Sequence, residues 1–120
     1  MPILSLHHIQ LAMPRGGESR ARVFYGGILG FEEVQKPPEL AKRGGAWFRA
    51  GSAEVHLGVD DDFHPAKKAH PALLVDDLES LRQACEEAGH PTEPGDPLEG
   101  YVRADVHDPF GNRIELLQRL

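Results

Sequence analysis

Ala69-His70-Pro71-Ala72-Leu73-Leu74-Val75 restarts a pattern that the chain has already run through once, from Ile3-Leu4-Ser5-Leu6-His7-His8-Ile9-Gln10-Leu11-Ala12-Met13. Each stretch reads as a strand, each precedes a helical stretch ended by glycine, and each helix precedes three strand-like runs. Outward from the first stretch, Pro14 and Gly16-Gly17 stop a strand over 3–13. Residues 18–29 put Ala21, Phe24, Tyr25 and Ile28 on one helix face, with Gly30 as C-cap. A short strand over 31–35 follows, then a loop from Pro37-Pro38 to Gly44-Gly45. Residues 46–50 and 53–59 alternate as a hairpin about Gly51-Ser52. A polar connector over 60–67 leads into the second round. There a strand over 69–75 precedes a helix over 78–88, with Asp76 or Asp77 as N-cap and Gly89 as stop. A weak strand over 90–93 follows, and strands over 101–107 and 112–118 flank the turn Asp108-Pro109-Phe110-Gly111.

The order is βαβββ twice. Neither half alone could bury its helix face, so the repeat predicts one α+β domain over 1–120, with module one at 1–60 and module two at 68–120. The expected architecture is a cupped, mostly antiparallel eight-stranded sheet with the helices on its outer face. His8 opens the first round as His70 opens the second, 62 residues later, and His56 in the fourth strand matches Glu115 in the eighth, 59 residues later.

Composition narrows the function classes. A net charge of −6 argues against a nucleic-acid partner, which usually shows as a basic patch. No run approaches the ~20 apolar residues of a membrane span. The N-terminus lacks the basic and apolar regions of a signal peptide, so a cytoplasmic location is expected. The one cysteine, Cys85, falls in a helical stretch and reads as a buried small side chain. Seven histidines stand beside it, and histidine is the commonest metal ligand.

Alternation assigns faces to the strands. Val55, Leu57 and Val59 oppose Glu54, His56 and Gly58; Val102, Ala104 and Val106 oppose Tyr101, Arg103, Asp105 and His107; Ile114 and Leu116 oppose Arg113 and Glu115; Phe48 opposes Trp47 and Arg49. In the first strand His8 and Gln10 lie opposite Ile9, Leu11 and Met13, with His7 on the apolar, helix-facing side. The polar faces together carry His, Arg, Glu and aromatic residues and no lysine, which suits a cup holding a metal and a polar or anionic ligand. His8, His56, His70 and Glu115 supply three imidazoles and a carboxylate, a donor set for one divalent ion of zinc, nickel, iron, cobalt or manganese. Mid-strand placement would hold each ligand rigidly. Gln10, Trp47, Arg49, Tyr101 and Arg103 are the candidate substrate contacts. Arg49, Arg103 and Arg113 fit either a substrate anion or salt bridges within the cup, and Trp47 and Tyr101 either substrate stacking or wall packing. His64, His90 and His107 read as solvated.

Leu6-His7-His8-Ile9-Gln10-Leu11-Ala12-Met13, Phe24-Tyr25 and Leu29-Gly30-Phe31 resemble the opening of a vicinal oxygen chelate module. Asp108-Pro109-Phe110-Gly111-Asn112-Arg113-Ile114-Glu115-Leu116 resembles its closing signature, and the likeness spans essentially the whole chain. The superfamily includes glyoxalase I, fosfomycin-resistance transferases, methylmalonyl-CoA epimerase, extradiol dioxygenases and metal-free bleomycin-binding proteins. The resemblance implies a small single-domain glyoxalase-like member with ligands at His8, His56, His70 and Glu115. Glyoxalase-type members usually carry Glu at the position of His56, and epimerases Gln. It further implies a metal-dependent enzyme of lyase or isomerase type, acting on a small substrate chelated through vicinal oxygens, with Glu115 or water on the metal moving the proton. A homodimer is implied, because paired modules often close the cup between subunits. The alternatives are a ring-cleaving, extradiol dioxygenase-like enzyme and a metal-free protein that sequesters a small molecule or drug.

Overall fold

The computed structural model describes residues 2–120, and Met1 lies outside it. Module one comprises β1 (Ile9–Met13), α1 (Glu18–Ala21), a π-helical segment (Arg22–Ile28), β2 (Glu32–Val34), α2 (Pro38–Ala41), β3 (Ala46–Ala50) and β4 (Ala53–Val59). Module two comprises β5 (Ala72–Leu74), α3 (Leu78–Glu87), β6 (Thr92–Pro94), β7 (Tyr101–His107) and β8 (Arg113–Arg119). The α+β architecture of two βαβββ units is thus the one found. The eight strands lie in two four-stranded sheets, ordered β1-β4-β3-β2 and β5-β8-β7-β6. In each sheet one pairing is parallel (β1 with β4, β5 with β8) and the other two are antiparallel.

The registers are equivalent. Gln10 faces His56 across β1–β4, and Ala72 faces Glu115 across β5–β8. His8 and His70 each sit two residues before those partners, so the four donors occupy matching positions of the two sheets. The apolar faces close the core as the alternation requires. Phe48, Val55, Leu57, Val106, Ile114 and Leu116 are at most 1% exposed and form one cluster with Phe24, Tyr25, Leu78 and Cys85. Cys85 is the buried small side chain expected, and burial raises its thiol pKa.

Several local readings are corrected. The strand expected over 3–13 is β1 from Ile9 only; residues 2–8 have no ladder partner and expose Ile3, Leu4 and Leu6. The helix expected over 18–29 widens into a π segment, closed by the Leu29 amide donating to the Phe24 carbonyl. A wider turn lets the consecutive residues Phe24 and Tyr25 both bury completely, and Gly26-Gly27 leaves room for it. The loop between Pro37 and Gly45 contains the short helix α2, which Pro38 can start because the first helical position needs no donor. Helix α3 matches expectation. Asp77 accepts from the Ser80 amide and hydroxyl at its start, and the His90 amide donates to Cys85 O past Gly89 at φ +87°.

The closing turn joins the modules. Asp108 accepts from Tyr25 Oη (2.8 Å) and from the Phe110 and Asn112 amides, while Asn112 Nδ2 donates to Ala12 O at the end of β1. Phe110 lies so close to Gly17 that a Cβ there would fall 2.7 Å from its ring. Module two therefore plugs its turn against the strand that carries Gln10, which fixes one sheet relative to the other.

Candidate metal and substrate site

Each module builds a polar cluster on the face away from its core. In module two, Glu115 lies mid-strand on β8 and His70 lies just before β5, not within it. His70 Nε2 is 2.9 Å from Glu115 Oε1, and Arg103 Nη1 donates to Glu115 Oε2 at 3.1 Å. Arg103 Nε also donates to Asp96 O. Glu115 is 5% exposed, so this polar face is covered rather than open to water. Burial by itself would raise the Glu115 carboxyl; the hydrogen bonds from His70 and Arg103 outweigh it and hold the pKa below the usual range.

The His70 ring has a defined orientation. Its Nδ1 is 2.8 Å from Lys68 O, and a carbonyl can only accept, so Nδ1 carries a proton. In the neutral ring Nε2 is then a bare lone pair facing a carboxylate oxygen. Two acceptors rest at 2.9 Å only with a positive charge between or on them, either a second ring proton or a cation. Adjacent ligands on one octahedral ion at about 2.1 Å are also about 3 Å apart. A backbone carbonyl fixing the far nitrogen is the usual support behind a ligating histidine. The pair therefore fits a divalent ion by donor chemistry and by spacing.

In module one, His56 is 4% exposed at mid-strand in β4. Its ring is sandwiched between Trp47 (4.0 Å, 5°) and His8 (4.1 Å, 16°). Lys36 Nζ sits 5.9 Å from the Trp47 ring centroid. His56 Nε2 is 2.7 Å from Glu54 Oε2, and Arg49 Nε donates to Glu54 Oε1 at 3.1 Å. Burial lowers the His56 pKa, Glu54 opposes that shift, and His8 adds to it. His8 precedes β1 and is exposed, with Nδ1 2.9 Å from Nδ1 of His7. A ligated metal lies near the plane of each imidazole. Two nearly parallel rings 4.1 Å apart have no common in-plane point within bonding distance, so His8 and His56 do not chelate one ion together in this arrangement.

The quartet is accordingly placed as two pairs, and among the described residues no three His, Cys, Asp or Glu side chains converge on one metal position. His8 and His70 do line one cavity of about 270 Å³, shared with His7, Glu54 and the apolar Leu6 and Leu73. His7 was expected on the helix side; it is exposed and borders this cavity instead, because the chain has not entered β1 and alternation does not hold there. His90 was expected solvated, but its ring packs 4.8 Å from Phe24 and its Nδ1 meets His107 O. His64 and His107 are exposed, as expected.

The candidate substrate contacts separate. Trp47 is wall, stacked flat on His56. Arg49, Arg103 and Arg113 all engage carboxylates within the cup, Arg113 pairing with Asp105. Gln10 is exposed opposite His56, its amide lying against Gly58. Tyr101 pairs with Arg119, four residues along β7 from Asp105, which faces Glu115. That is about 13 Å along the strand, too far to join the His70–Glu115 pair. Glu54 and Lys36 were not among the candidates. Glu54 could have been found, since it shares the face of His56 two residues away; Lys36 lies past the end of β2, where no periodicity applies.

Comparison with known proteins decides the family. Residues 5–116 match the model of the Glyoxalase/Bleomycin resistance protein/Dioxygenase superfamily. The chain belongs to that superfamily. Among solved structures, a glyoxalase family protein from Bacillus anthracis is 43% identical, with 98% of this chain and 97% of that chain covered and a TM-score of 0.94. A glyoxalase family protein from Enterococcus faecalis is 26% identical over 98% and 99% of the two chains, TM-score 0.72. The genomically encoded fosfomycin resistance protein FosX from Listeria monocytogenes shares the fold at 15% identity, over 98% and 95%, TM-score 0.78. No curated protein matches the chain. Among the described residues no helix is long and apolar enough to cross a membrane.

Proposed function

We propose that this superfamily member is a metal-dependent glyoxalase-like enzyme of lyase or isomerase type, acting on a small molecule through two vicinal oxygens. The observation that carries the reading is the His70–Glu115 pair, with Nδ1 of His70 pinned to Lys68 O and Nε2 aimed at the carboxylate. These two residues would hold a divalent ion (zinc, nickel, iron, cobalt or manganese), and His8 and His56 would join as further ligands only once their stacked rings separate. Such an ion would polarise a substrate carbonyl and stabilise an enediolate-type oxyanion. Glu115, or water on the ion, would take a proton from the substrate carbon. Arg103 would keep Glu115 in place and, with Arg49 and Gln10, give the cup its preference for a polar or anionic substrate, while Trp47 would serve as wall and Tyr101 would lie too far along β7 to reach a substrate held at Glu115.

The reading includes a homodimer in the cytoplasm. The exposed Ile3 (83%), Leu4 (92%) and Leu6 (73%) and the unpaired outer edges of β1 and β5 support a second copy closing the cup and drawing donors from both modules. The deciding experiment is metal analysis and calorimetric titration of the purified chain. One divalent ion per chain, lost in His70→Ala, is expected; no stoichiometric binding, with His8→Ala and Glu115→Ala changing nothing, would overturn the reading. A second reading, a metal-free protein that binds a small molecule, draws on the closed Trp47–His56–His8 stack, which already satisfies module one without an ion. Tight ligand binding indifferent to a chelator would select it.

A further inference from the structure

Glu54 is a cup carboxylate that neither composition nor the resemblance assigned a task, and it meets one of the four expected donors, His56. We propose that Glu54 is a positioning residue that fixes the tautomer and orientation of His56, accepting a hydrogen bond from its Nε2–H so that Nδ1 is the nitrogen presented to a ligand. The geometry is specific. The two residues are two apart on one face of β4, and the carboxylate uses its oxygens separately: Oε2 for His56 Nε2 at 2.7 Å, Oε1 for Arg49 Nε at 3.1 Å. Arg49 stands directly opposite Glu54 across the β3–β4 pair, so the carboxylate is held from the neighbouring strand.

The ring cannot escape by tilting. Trp47 lies 4.0 Å from one face and His8 4.1 Å from the other, both close to parallel. Within that sandwich only two in-plane orientations remain, related by a half-turn about Cβ–Cγ. One puts Nε2 toward Glu54 and the other puts a carbon there. An ionised carboxylate accepts only, so it selects the first and keeps the proton on Nε2. The two modules then present opposite nitrogens: His70, pinned at Nδ1 by Lys68 O, offers Nε2, whereas His56, pinned at Nε2, offers Nδ1. The same site is meant as in the metal-dependent reading, but the tautomer itself does not depend on that reading.

The test is long-range ¹⁵N–¹H NMR of the metal-free, uniformly labelled full chain at about pH 8, where an ordinary histidine is neutral. The wild-type protein is expected to show His56 as the Nε2–H tautomer; an Nδ1–H pattern overturns the proposal without any variant. Glu54→Ala should move the ring to an exchanging mixture, while unchanged His56 shifts overturn it. If Glu54→Ala does not fold, Arg49→Ala loosens the same carboxylate and should broaden the same resonances, and invariant resonances there count against it. Zinc titration reads the consequence: affinity in Glu54→Ala should fall by about tenfold, as for loss of the His56 ligand itself and at the lower end of the range for a residue that orients a ligand. Equal zinc affinity in the two proteins overturns the presentation of Nδ1. A wild-type chain that shows the Nε2–H tautomer and binds no zinc leaves the role of Glu54 standing and defeats the metal-dependent reading instead.

Discussion

The two modules hold the same three side-chain types in different wiring. In module two the histidine comes from the residues before β5, the carboxylate from β8 and the arginine from β7, so one carboxylate ties three segments together. In module one the position matching Glu115 is His56, and the carboxylate is displaced two residues back on the same strand, to Glu54. Its arginine, Arg49, still comes from the neighbouring strand. The displacement changes what each cluster can offer. Module two faces His70 Nε2 toward a carboxylate, an arrangement that a second ring proton or a cation completes. Module one forms a donor–acceptor pair that is complete as it stands, roofed by stacked rings. The duplicated fold supplies equivalent positions, and in the metal-dependent reading the presence of His at 56, where module two has Glu115, would make module two the anchor of the ion.

The widest separation between the modules should appear in metal affinity. His70→Ala is expected to weaken zinc binding more than about a hundredfold, beyond the range for a supporting residue, and His56→Ala by about tenfold. Competition with a chromophoric chelator measures both. Equal losses would erase the asymmetry.

Stability comes next. Glu115→Ala leaves Arg103 and His70 facing each other in a covered site and should cost about 3 kcal/mol in urea unfolding. Glu54→Ala, at the cavity rim, should move the urea midpoint clearly less.

The join between modules gives a smaller effect. Asn112→Ala removes the hydrogen bonds to Ala12 O and Asp108, and should cost about 2 kcal/mol; Tyr25→Phe removes one and should cost about 1 kcal/mol. The two changes share Asp108, so the double variant should lose less or more than their sum by a measurable coupling.

The smallest expected effect is in pH. The Glu115 carboxyl is lowered from 4.5 in the folded chain, so its contribution is present above pH 4.5 and disappears as pH falls through the folded value below that. The melting temperature of metal-free Glu115→Gln should therefore decline less steeply below pH 4.5 than that of the wild-type protein.

The duplicated order of elements was legible because two periodicities and punctuating glycines repeat at nearly constant offset. The hairpin 46–50 and 53–59, the strand 101–107 and the Asp77 cap all stand where the residues put them. The donor positions were legible for the same reason: period-two alternation puts His56 and Glu115 opposite buried Val55, Leu57, Ile114 and Leu116. Alternation fails outside a ladder. It misplaced His7, gave His8 and His70 a strand they only precede, and could not reach Lys36. Nor could it find the π turn, which exists because Phe24 and Tyr25 both have core to fill.

By itself, then, the sequence determined the α+β duplication, the identity of the polar face and the places of His56 and Glu115 on it, since all three follow from local periodicity and chain order. Only the tertiary structure decided how those donors are grouped. Stacking across strands committed His56 and His8 to a closed column with Trp47, a carbonyl two residues away turned His70 toward Glu115, and Arg49 drew Glu54 into the site. Those choices depend on which nitrogen faces which oxygen, and that is set by packing between strands distant in the chain.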